Sequence, residues 1–214
     1  VPFIYRRERF VAISGSTRDE IASFCTNPGW VEVVEPGIDT EFFYRSKPKD
    51  TSPTMLYVGR IKRYKNVQFL IRALPALLRE FPDLVLKIAG NGDYLPRIQR
   101  YARSLGIERS IEYLGYVSEK RKRDLLSSAT FIAVPSLKEG WGIINIEANL
   151  CGTVSLSSDV AGLRDSVRDA ETGMLFRSND EEDFIAKARG LLSDSSKRRA
   201  MAKRMTGRPS AALL

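Results

Sequence analysis

Residues 55–90 read MLYVGRIKRYKNVQFLIRALPALLREFPDLVLKIAG, and their pattern indicates the fold class. Two short apolar runs, Met55–Val58 and Leu84–Ala89, have the length of buried strands, and Val67–Phe81 between them has helical spacing. Pro75 is expected to kink or shorten that helix, because proline lacks a backbone N–H. A strand, a helix and a second strand in this order predict a right-handed βαβ unit with parallel strands.

The same alternation continues along the chain. Further strands are predicted at Ile111–Leu114, Phe131–Val134, Val154–Leu156 and Met174–Phe176. Further helices are predicted at Tyr94–Leu105, Glu119–Ala129, Ile143–Cys151 and from Glu181 onward. Near-continuous apolar strands between helices are typical of a sheet covered on both faces. The fold class is therefore predicted to be α/β, a Rossmann-like doubly wound parallel sheet, with ligands at the carboxyl ends of its strands.

Upstream of this alternation the chain has a shorter unit. It consists of a strand at Phe10–Ile13, a helix at Thr17–Cys25 and a strand at Val31–Val34. The polar segment Lys47–Pro53 then has the composition of a linker. The chain begins at Val1 rather than at Met, so we expect it to be a piece of a longer protein. The final small residues are expected to be loosely packed.

The composition of the 214 residues, with 43% hydrophobic and 28% charged side chains, excludes collagen-like, low-complexity and wholly disordered classes. The net charge of +8 indicates an anionic partner without choosing among phosphorylated ligands, nucleic acid and an acidic membrane surface. The chain has no histidine, which excludes a Ser-His-Asp triad and an imidazole-based zinc site. Cys25 and Cys151 have no metal-binding spacing and are expected to be reduced, buried thiols.

A basic loop follows the first strand of the quoted stretch, with the sequence Gly59-Arg60-Ile61-Lys62-Arg63-Tyr64-Lys65-Asn66. Arginine offers a planar fork of donors to phosphate oxygens, and lysine adds a mobile charge. This composition suits a diphosphate site, although a solvated basic loop has the same composition. After the next strand, Gly90-Asn91-Gly92-Asp93 resembles a dinucleotide fingerprint, but Leu95 occupies the place of its third glycine. A tight turn or a ligand-side loop is the better interpretation of that segment.

The segment after Val134 combines a glycine-containing loop with the start of a helix, in PSLKEGWGIINIEA. Backbone N–H groups near Gly140 to Ile143 would favour a phosphate at the helix N-terminus. Glu139 and Glu147 flank that position, and carboxylates beside a phosphate are expected to accept hydrogen bonds from sugar hydroxyls. A capped helix with two exposed acids is the alternative.

Taken together, these segments resemble the C-terminal, donor-binding half of the retaining GT-B glycosyltransferases of family four, the glycosyl transferases group 1. The matching motifs are FVAISGSTRDEI, VVEPGIDTEFF, LYVGRIKRYKN, KIAGNGDYLPRIQ, IEYLGYV, PSLKEGWGIINIEANLCGT, AGLRDSV and TGMLF. They run along nearly the whole chain in the family's order, and they include its pair of glutamates with seven residues between them. Asn149-Leu150-Cys151 and Arg164-Asp165 depart from the family's pattern.

The resemblance implies a role for each matching residue. Arg60, Lys65 and Gly59 would bind the donor diphosphate, Glu147 the ribose, and Glu139, as the catalytic residue, hydroxyls of the transferred sugar. The backbone contacts would come from Gly140, Trp141, Gly142 and Ile143 for sugar and phosphate, and from Tyr116 and Val117 for the base. The family transfers a hexosyl group from a nucleotide sugar, such as a UDP- or GDP-hexose, with retention of configuration. No metal and no cofactor are implied.

The resemblance also implies an organisation and partners for the chain. Residues 1–35 would be the tail of the N-terminal GT-B domain or a crossing segment, 36–53 a linker, 54–206 the nucleotide-sugar-binding domain and 207–214 a disordered tail. The expected partners are the nucleotide sugar, the missing N-terminal domain, and a membrane surface or lipid-linked acceptor, with no nucleic acid. The acceptor of the sugar would be a glycan, a lipid or another molecule. We expect a location in the cytoplasm or at the inner membrane surface. Without the N-terminal domain we expect the chain to bind donor but to transfer no sugar.

Two other functions remain open from the sequence. The basic runs RIKRYK, EKRKRD and KRRAMAKR admit a nucleic-acid-binding module without catalytic activity, although they lack interleaved aromatic residues for stacking. Two of the runs have neighbouring acids, so solvated helix faces explain them better. Glu139 and Glu147 admit a glycoside hydrolase, although the basic loop argues against paired carboxylates facing one bond.

Overall fold

A computed structural model describes residues 2–206, and a six-stranded parallel sheet forms its centre. The strands are β1 (Phe10–Ala12), β2 (Val31–Val33), β3 (Thr54–Val58), β4 (Val85–Ala89), β5 (Ile111–Gly115), β6 (Phe131–Val134), β7 (Val154–Ser158) and β8 (Gly173–Phe176). The helices are α1 (Pro2–Tyr5), α2 (Gly15–Ala22), α3 (Val67–Leu78), α4 (Leu95–Ser104), α5 (Glu119–Ser128), α6 (Ile143–Leu150), α7 (Ala161–Ser166), α8 (Glu181–Ser193) and α9 (Ser195–Thr206). Short 3-10 turns occupy Pro28–Trp30, Arg63–Lys65 and Glu108–Ser110.

The order of the strands in the large sheet is β5-β4-β3-β6-β7-β8, and every neighbouring pair is parallel. The chain therefore winds outward from β3 in one direction and outward from β6 in the other, so the connections diverge between these two strands. This is the order of a doubly wound Rossmann-like sheet, and the predicted fold class is confirmed. β1 and β2 form a separate two-stranded parallel sheet.

Both faces of the large sheet are covered. On one face α3, α4 and α8 pack on the strands, and the rings of Phe69, Phe176 and Phe184 lie 5.0–5.4 Å apart between their centroids. On the other face the apolar sides of α5 and α6 bury residues such as Leu126 and Ala148. Burial on two faces explains why the strands are continuous apolar runs instead of alternating ones.

The predicted strands and helices are present. The ends of β6 are as predicted, and the ends of other elements differ by at most a few residues. Helix α3 passes through Pro75 and ends at Leu78, three residues before the predicted end. The sequence did not reveal α1 or α7, because each is only a few residues long and too short for an apolar period. Cys151 is buried as expected, but Cys25 is partly exposed, so the expectation of two buried thiols was wrong for Cys25.

The segment between β2 and β3 has no helix or strand, yet it packs on the large sheet's domain. Phe43 is buried on the face of the large sheet that α5 and α6 cover. The Lys49 ammonium donates to the carbonyl of Ala129 at 2.9 Å, and Asp50 pairs with Lys87 at 2.8 Å. The division of the chain at residues 35 and 53 stays a prediction, and the predicted tail 207–214 lies outside the described residues. Within residues 2–206, each helix is too short or too polar to span a lipid bilayer.

Candidate functional site

A cleft of about 430 Å³ lies where the loops after β3 and β6 meet. Its lining consists of Ile13, Pro36, Val58, Gly59, Lys65, Lys122, Glu139, Gly140, Trp141, Gly142, Ile143, Ile144 and Glu147. β3 and β6 are neighbours in the sheet, but their following helices cover opposite faces. The diverging connections leave a crevice between the two loops, which is where ligands bind in sheets of this type.

The loop between β6 and α6 is held in a specific shape. Gly142 has a left-handed φ of 82°, and a Cβ there would lie 2.5 Å from a methyl carbon of Leu163. The carbonyl of Gly140 accepts hydrogen bonds from the hydroxyls of Ser14 at 2.7 Å and Thr17 at 3.2 Å. The loop is therefore held by its contact with α7 and by hydrogen bonds from the start of α2, so its backbone conformation is set before a ligand binds.

Lys65 and Glu139 form the central ion pair of the cleft. The ammonium nitrogen lies 2.5 Å from each carboxylate oxygen, and the two side chains are only 15% and 14% exposed. Lys65 is the last residue of the 3-10 turn after β3, and Glu139 lies in the loop after β6. The family resemblance implies that these residues bind different parts of one ligand, and the structure brings their side chains into direct contact.

A second charged group surrounds Glu147, which is buried in α6. Its Oε1 accepts a hydrogen bond from the ammonium of Lys122 at 2.9 Å, and Lys122 also pairs with Glu119 at 2.7 Å. Burial raises the pKa of Glu147, and the hydrogen bond from Lys122 opposes that rise. For Lys122 itself, burial favours a lower pKa, but the hydrogen bonds to Glu119 and Glu147 outweigh it and raise the pKa.

The other predicted site residues lie at different depths. Gly59, Gly140, Gly142 and Ile143 line the cleft, whereas the Trp141 ring is buried against Ile146, so only its backbone is available to a ligand. The three remaining residues, Arg60, Tyr116 and Val117, are not among the residues that line it. The Arg60 guanidinium is exposed and donates to the Tyr64 hydroxyl at 3.3 Å, Tyr116 is 82% exposed, and Val117 packs against the second face.

Lys122, Ser14 and Thr17 are polar residues at the site that the sequence did not single out. Lys122 lies in the run EKRKRD, whose charges were interpreted as a solvated helix face. The one signal in the sequence was its spacing from Glu119, since residues three apart on a helix are neighbours. Within residues 2–206 no three acidic or cysteine side chains cluster closely enough to hold a metal ion. The metal independence of ligand binding stays a prediction.

The family model for glycosyl transferases group 1 matches residues 39–208. The chain belongs to this family. Curated relatives include the D-inositol 3-phosphate glycosyltransferase of Rhodococcus erythropolis, 31% identical over 207 residues with 87% of this chain and 46% of the relative covered. The glycogen synthase of Mycobacterium tuberculosis is 32% identical over 203 residues, with 92% of this chain and 49% of the relative covered. The chain thus spans about half the length of the curated relatives that it matches.

Solved structures of similar fold agree with this family membership. The Anabaena protein HepE in complex with UDP and glucose superposes with a TM-score of 0.84 at 18% identity, covering 92% of this chain and 57% of HepE. The sucrose-phosphate synthase of Thermosynechococcus elongatus superposes with a TM-score of 0.85 at 23% identity, covering 99% and 57%. The fold of this chain is accordingly that of the Rossmann-like C-terminal half of the GT-B architecture.

Proposed function

We propose that this family member is the donor-binding half of a retaining glycosyltransferase that transfers a hexosyl group from a nucleotide sugar to an acceptor. The observation that supports it best is the cleft between the loops of β3 and β6, which brings together two lysines, two glutamates and the N-terminus of α6. A diphosphate needs cationic and N–H donors, and sugars need carboxylate acceptors. HepE, whose fold is similar, has been solved in complex with UDP and glucose, which favours a nucleotide sugar as the ligand of this cleft.

Each cleft residue has a role in this proposal. Lys65 and the N-terminus of α6 hold the diphosphate. Arg60 of the same loop, whose exposed guanidinium contacts Tyr64 in the free protein, is expected to turn toward the bound diphosphate. Glu147 accepts from the ribose and Glu139 from the transferred sugar, while the backbone near Tyr116 and Val117 meets the base. As the glycosidic bond breaks, negative charge grows on the leaving diphosphate, and Lys65 stabilises it. The positive charge on the anomeric carbon is expected to develop before the acceptor bond forms.

The ion pair of Lys65 and Glu139 suggests how the cleft responds to a donor. Without ligand, each side chain neutralises the other at 2.5 Å. A diphosphate carries more charge than a carboxylate and competes for the lysine, which leaves the Glu139 oxygens free to accept hydrogen bonds from sugar hydroxyls. Diphosphate binding and sugar recognition are thereby coupled through one contact.

Calorimetric titration with UDP, GDP and ADP tests the proposal and identifies the base. Lys65→Met is expected to weaken diphosphate binding about tenfold or more, since a charge-assisted contact contributes about 1.5–3 kcal/mol, with little change for the bare nucleoside. Lys62→Met is the matched control, because Lys62 lies in the same loop but pairs with the exposed Asp93. Failure of the wild-type chain to bind any of the three nucleotides would refute the proposal.

The two glutamates are separated by a second measurement. Glu139→Ala is expected to weaken binding of the nucleotide sugar but not of the nucleoside diphosphate, whereas Glu147→Ala weakens both, and Glu147→Gln more mildly. Equal losses for both ligands on Glu139→Ala would contradict the assignment of Glu139 to the sugar.

We further propose that the acceptor side of the active site comes from an N-terminal domain. Among residues 2–206, β1 and β2 form a sheet of two strands, and Val11 is 65% exposed on it. Such an exposed apolar strand suits extension by further strands. The 214-residue chain is then expected to bind donor without transferring sugar, because the acceptor must be held within about 3–3.5 Å of the reacting atom. A radiolabelled-donor assay, with and without the N-terminal domain added, checks this, and robust turnover by the chain alone would contradict it.

No contact in the described residues favours the nucleic-acid alternative. Several cations of the basic runs turn inward: Lys65 binds Glu139, Lys122 binds Glu147, and Arg123 lies 4.9 Å from the ring centroid of Phe42. Lys122 and Arg123 are therefore held by neighbouring side chains, and Lys65 lies inside the cleft instead of on an open surface along which a nucleic-acid backbone could lie.

A further inference from the structure

Lys122 is a buried cation inside the cleft, although it belongs to a run of charges on the surface helix α5. Its side chain is only 15% exposed, and its ammonium lies 4.9 Å from the ring centroid of Phe43. It contacts Glu119 of the same helix and Glu147 of α6, and it lines the cleft beside Glu147. A lysine buried in this way is held by its partners, because an unpaired buried charge would be strongly unfavourable.

The two oxygens of the Glu147 carboxylate are in different situations. Oε1 accepts the hydrogen bond from Lys122, while Oε2 is buried without a partner among the described residues. The Glu147 side chain is 7% exposed. A buried acceptor without a partner destabilises the free protein. A ligand hydroxyl that donates a hydrogen bond to Oε2 would remove this unfavourable free energy. Lys122 thus occupies one oxygen and leaves the other for a ligand.

We propose that Lys122 is the positioning residue of the donor's ribose subsite, where it fixes the Glu147 carboxylate so that Oε2 accepts a hydrogen bond from a ribose hydroxyl. This inference rests on the proposed function, since it takes the ligand of Glu147 to be a ribose. Lys122 acts here through Glu147 and not on the reacting atoms. The second partner of Lys122 is Glu119, whose side chain is exposed and whose carboxylate keeps the Lys122 ammonium in place.

Lys122 also keeps Glu147 ionised. Several ionisable groups face the Glu147 carboxylate or the elements around it. Helix α5 contributes Lys122 and Glu119, and Cys151 follows the end of α6. The cleft also contains Lys65 and Glu139, which pair with each other. Burial raises the pKa of the Cys151 thiol to about 11, so it stays neutral. From β7, α7 and the described part of α9, no side chain forms an ion pair with Glu147. Without Lys122, burial and Glu119 both favour protonation, and a protonated Glu147 is a poorer acceptor.

The test compares a nucleoside diphosphate with its 2′,3′-dideoxy counterpart, so that changes in phosphate ionisation cancel. The base is whichever of UDP, GDP and ADP the wild type binds, and affinities are measured at pH 6 and pH 8. The wild type is expected to prefer the ribose form about tenfold or more at both pH values. In Lys122→Met the preference is expected to fall below about threefold at pH 6 and to recover partly at pH 8. Lys122→Arg should restore it.

Lys120→Met is the matched control, because Lys120 lies two residues earlier on the same helix and is exposed. It should keep the wild-type preference. Where Lys122→Met does not fold, the double variant Lys122→Met with Glu147→Met removes both buried charges, and it should bind the ribose and dideoxy forms equally.

Two results would overturn the inference. The first is an unchanged ribose preference in Lys122→Met at both pH values, whether the affinities stay the same or fall equally for both ligands, because an equal fall indicates a purely structural lysine. The second is a tenfold ribose preference in the double variant. Failure of the wild type to bind any nucleoside diphosphate refutes the proposed function instead, and this inference with it.

Discussion

Gly162 in α7 packs against the backbone of the loop that forms one wall of the cleft. Replacing Gly162 with alanine tests whether this close contact holds the loop in place. A Cβ at Gly162 would lie 2.1 Å from the carbonyl oxygen of Glu139 and 2.7 Å from the carbonyl carbon of Gly140. Ordinary contacts of a Cβ begin at 3.4 Å, so the loop before α6 would have to move by about 1 Å. The obstructing atoms are backbone, which cannot rotate away as a side chain can.

Gly190→Ala provides the reference value, because Gly190 lies in α8 with nothing within 4 Å of a new Cβ. Alanine stabilises a helix interior relative to glycine, so Gly190→Ala should raise the free energy of unfolding by about 0.5–1 kcal/mol. Gly162→Ala should lower it by about 1–3 kcal/mol, the usual cost of overpacking. The shifted loop also moves Glu139 relative to Lys65, so affinity for the nucleotide sugar should fall about tenfold.

Urea unfolding and calorimetry on both variants check these values. The affinity is measured only under conditions where Gly162→Ala is folded, as judged by its unfolding curve. If Gly162→Ala were as stable as Gly190→Ala and bound the nucleotide sugar like the wild type, the close contact of α7 with the loop would be refuted.

Three further outcomes are expected. Burial, together with Arg45 and Arg198, lowers the pKa of Lys49 to about 7, so the unfolded chain binds more protons between pH 7 and pH 10.5 and stability rises with pH in that window. In urea unfolding, the stability of the wild type relative to Lys49→Met should therefore increase by about 2–3 kcal/mol from pH 7 to pH 9, and a constant difference would contradict this. Alkylation of the native chain at pH 8 should modify the partly exposed Cys25 and spare the buried Cys151, whereas mass spectrometry should find both modified in urea. A chelator should leave the affinity for the nucleoside diphosphate unchanged in calorimetry, and a strict requirement for Mg²⁺ or Mn²⁺ would show that the diphosphate lies elsewhere.

Much of the fold could be predicted because its information is local. The apolar runs at β3, β4 and β6 are long enough to recognise, and turn residues or polar loops bound them. The six residues of α7 carry no such pattern, and their importance comes from the backbone that Gly162 approaches. A close approach of that kind leaves no trace in a window of neighbouring residues.

Some residues of the candidate site could likewise be predicted from the sequence, and others could not. Glu139, Glu147 and Lys65 could be chosen from the sequence, because the loops after two parallel strands meet at one edge of a sheet. The inward turn of Lys122 could not be predicted, since a helix of alternating charges is usually solvated on that face. It depends on how α5 packs beside α6, where Glu147 is buried.

The fold class, the chemical types of side chain after each strand and the family can all be predicted from the amino-acid sequence. The contacts between those side chains depend on the folded arrangement of the strands. Lys65 and Glu139 are 74 positions apart, and they meet because β3 and β6 lie side by side in the sheet. Strand order is fixed by the packing of helices on two faces, which is a property of the whole chain, so no local pattern contains it.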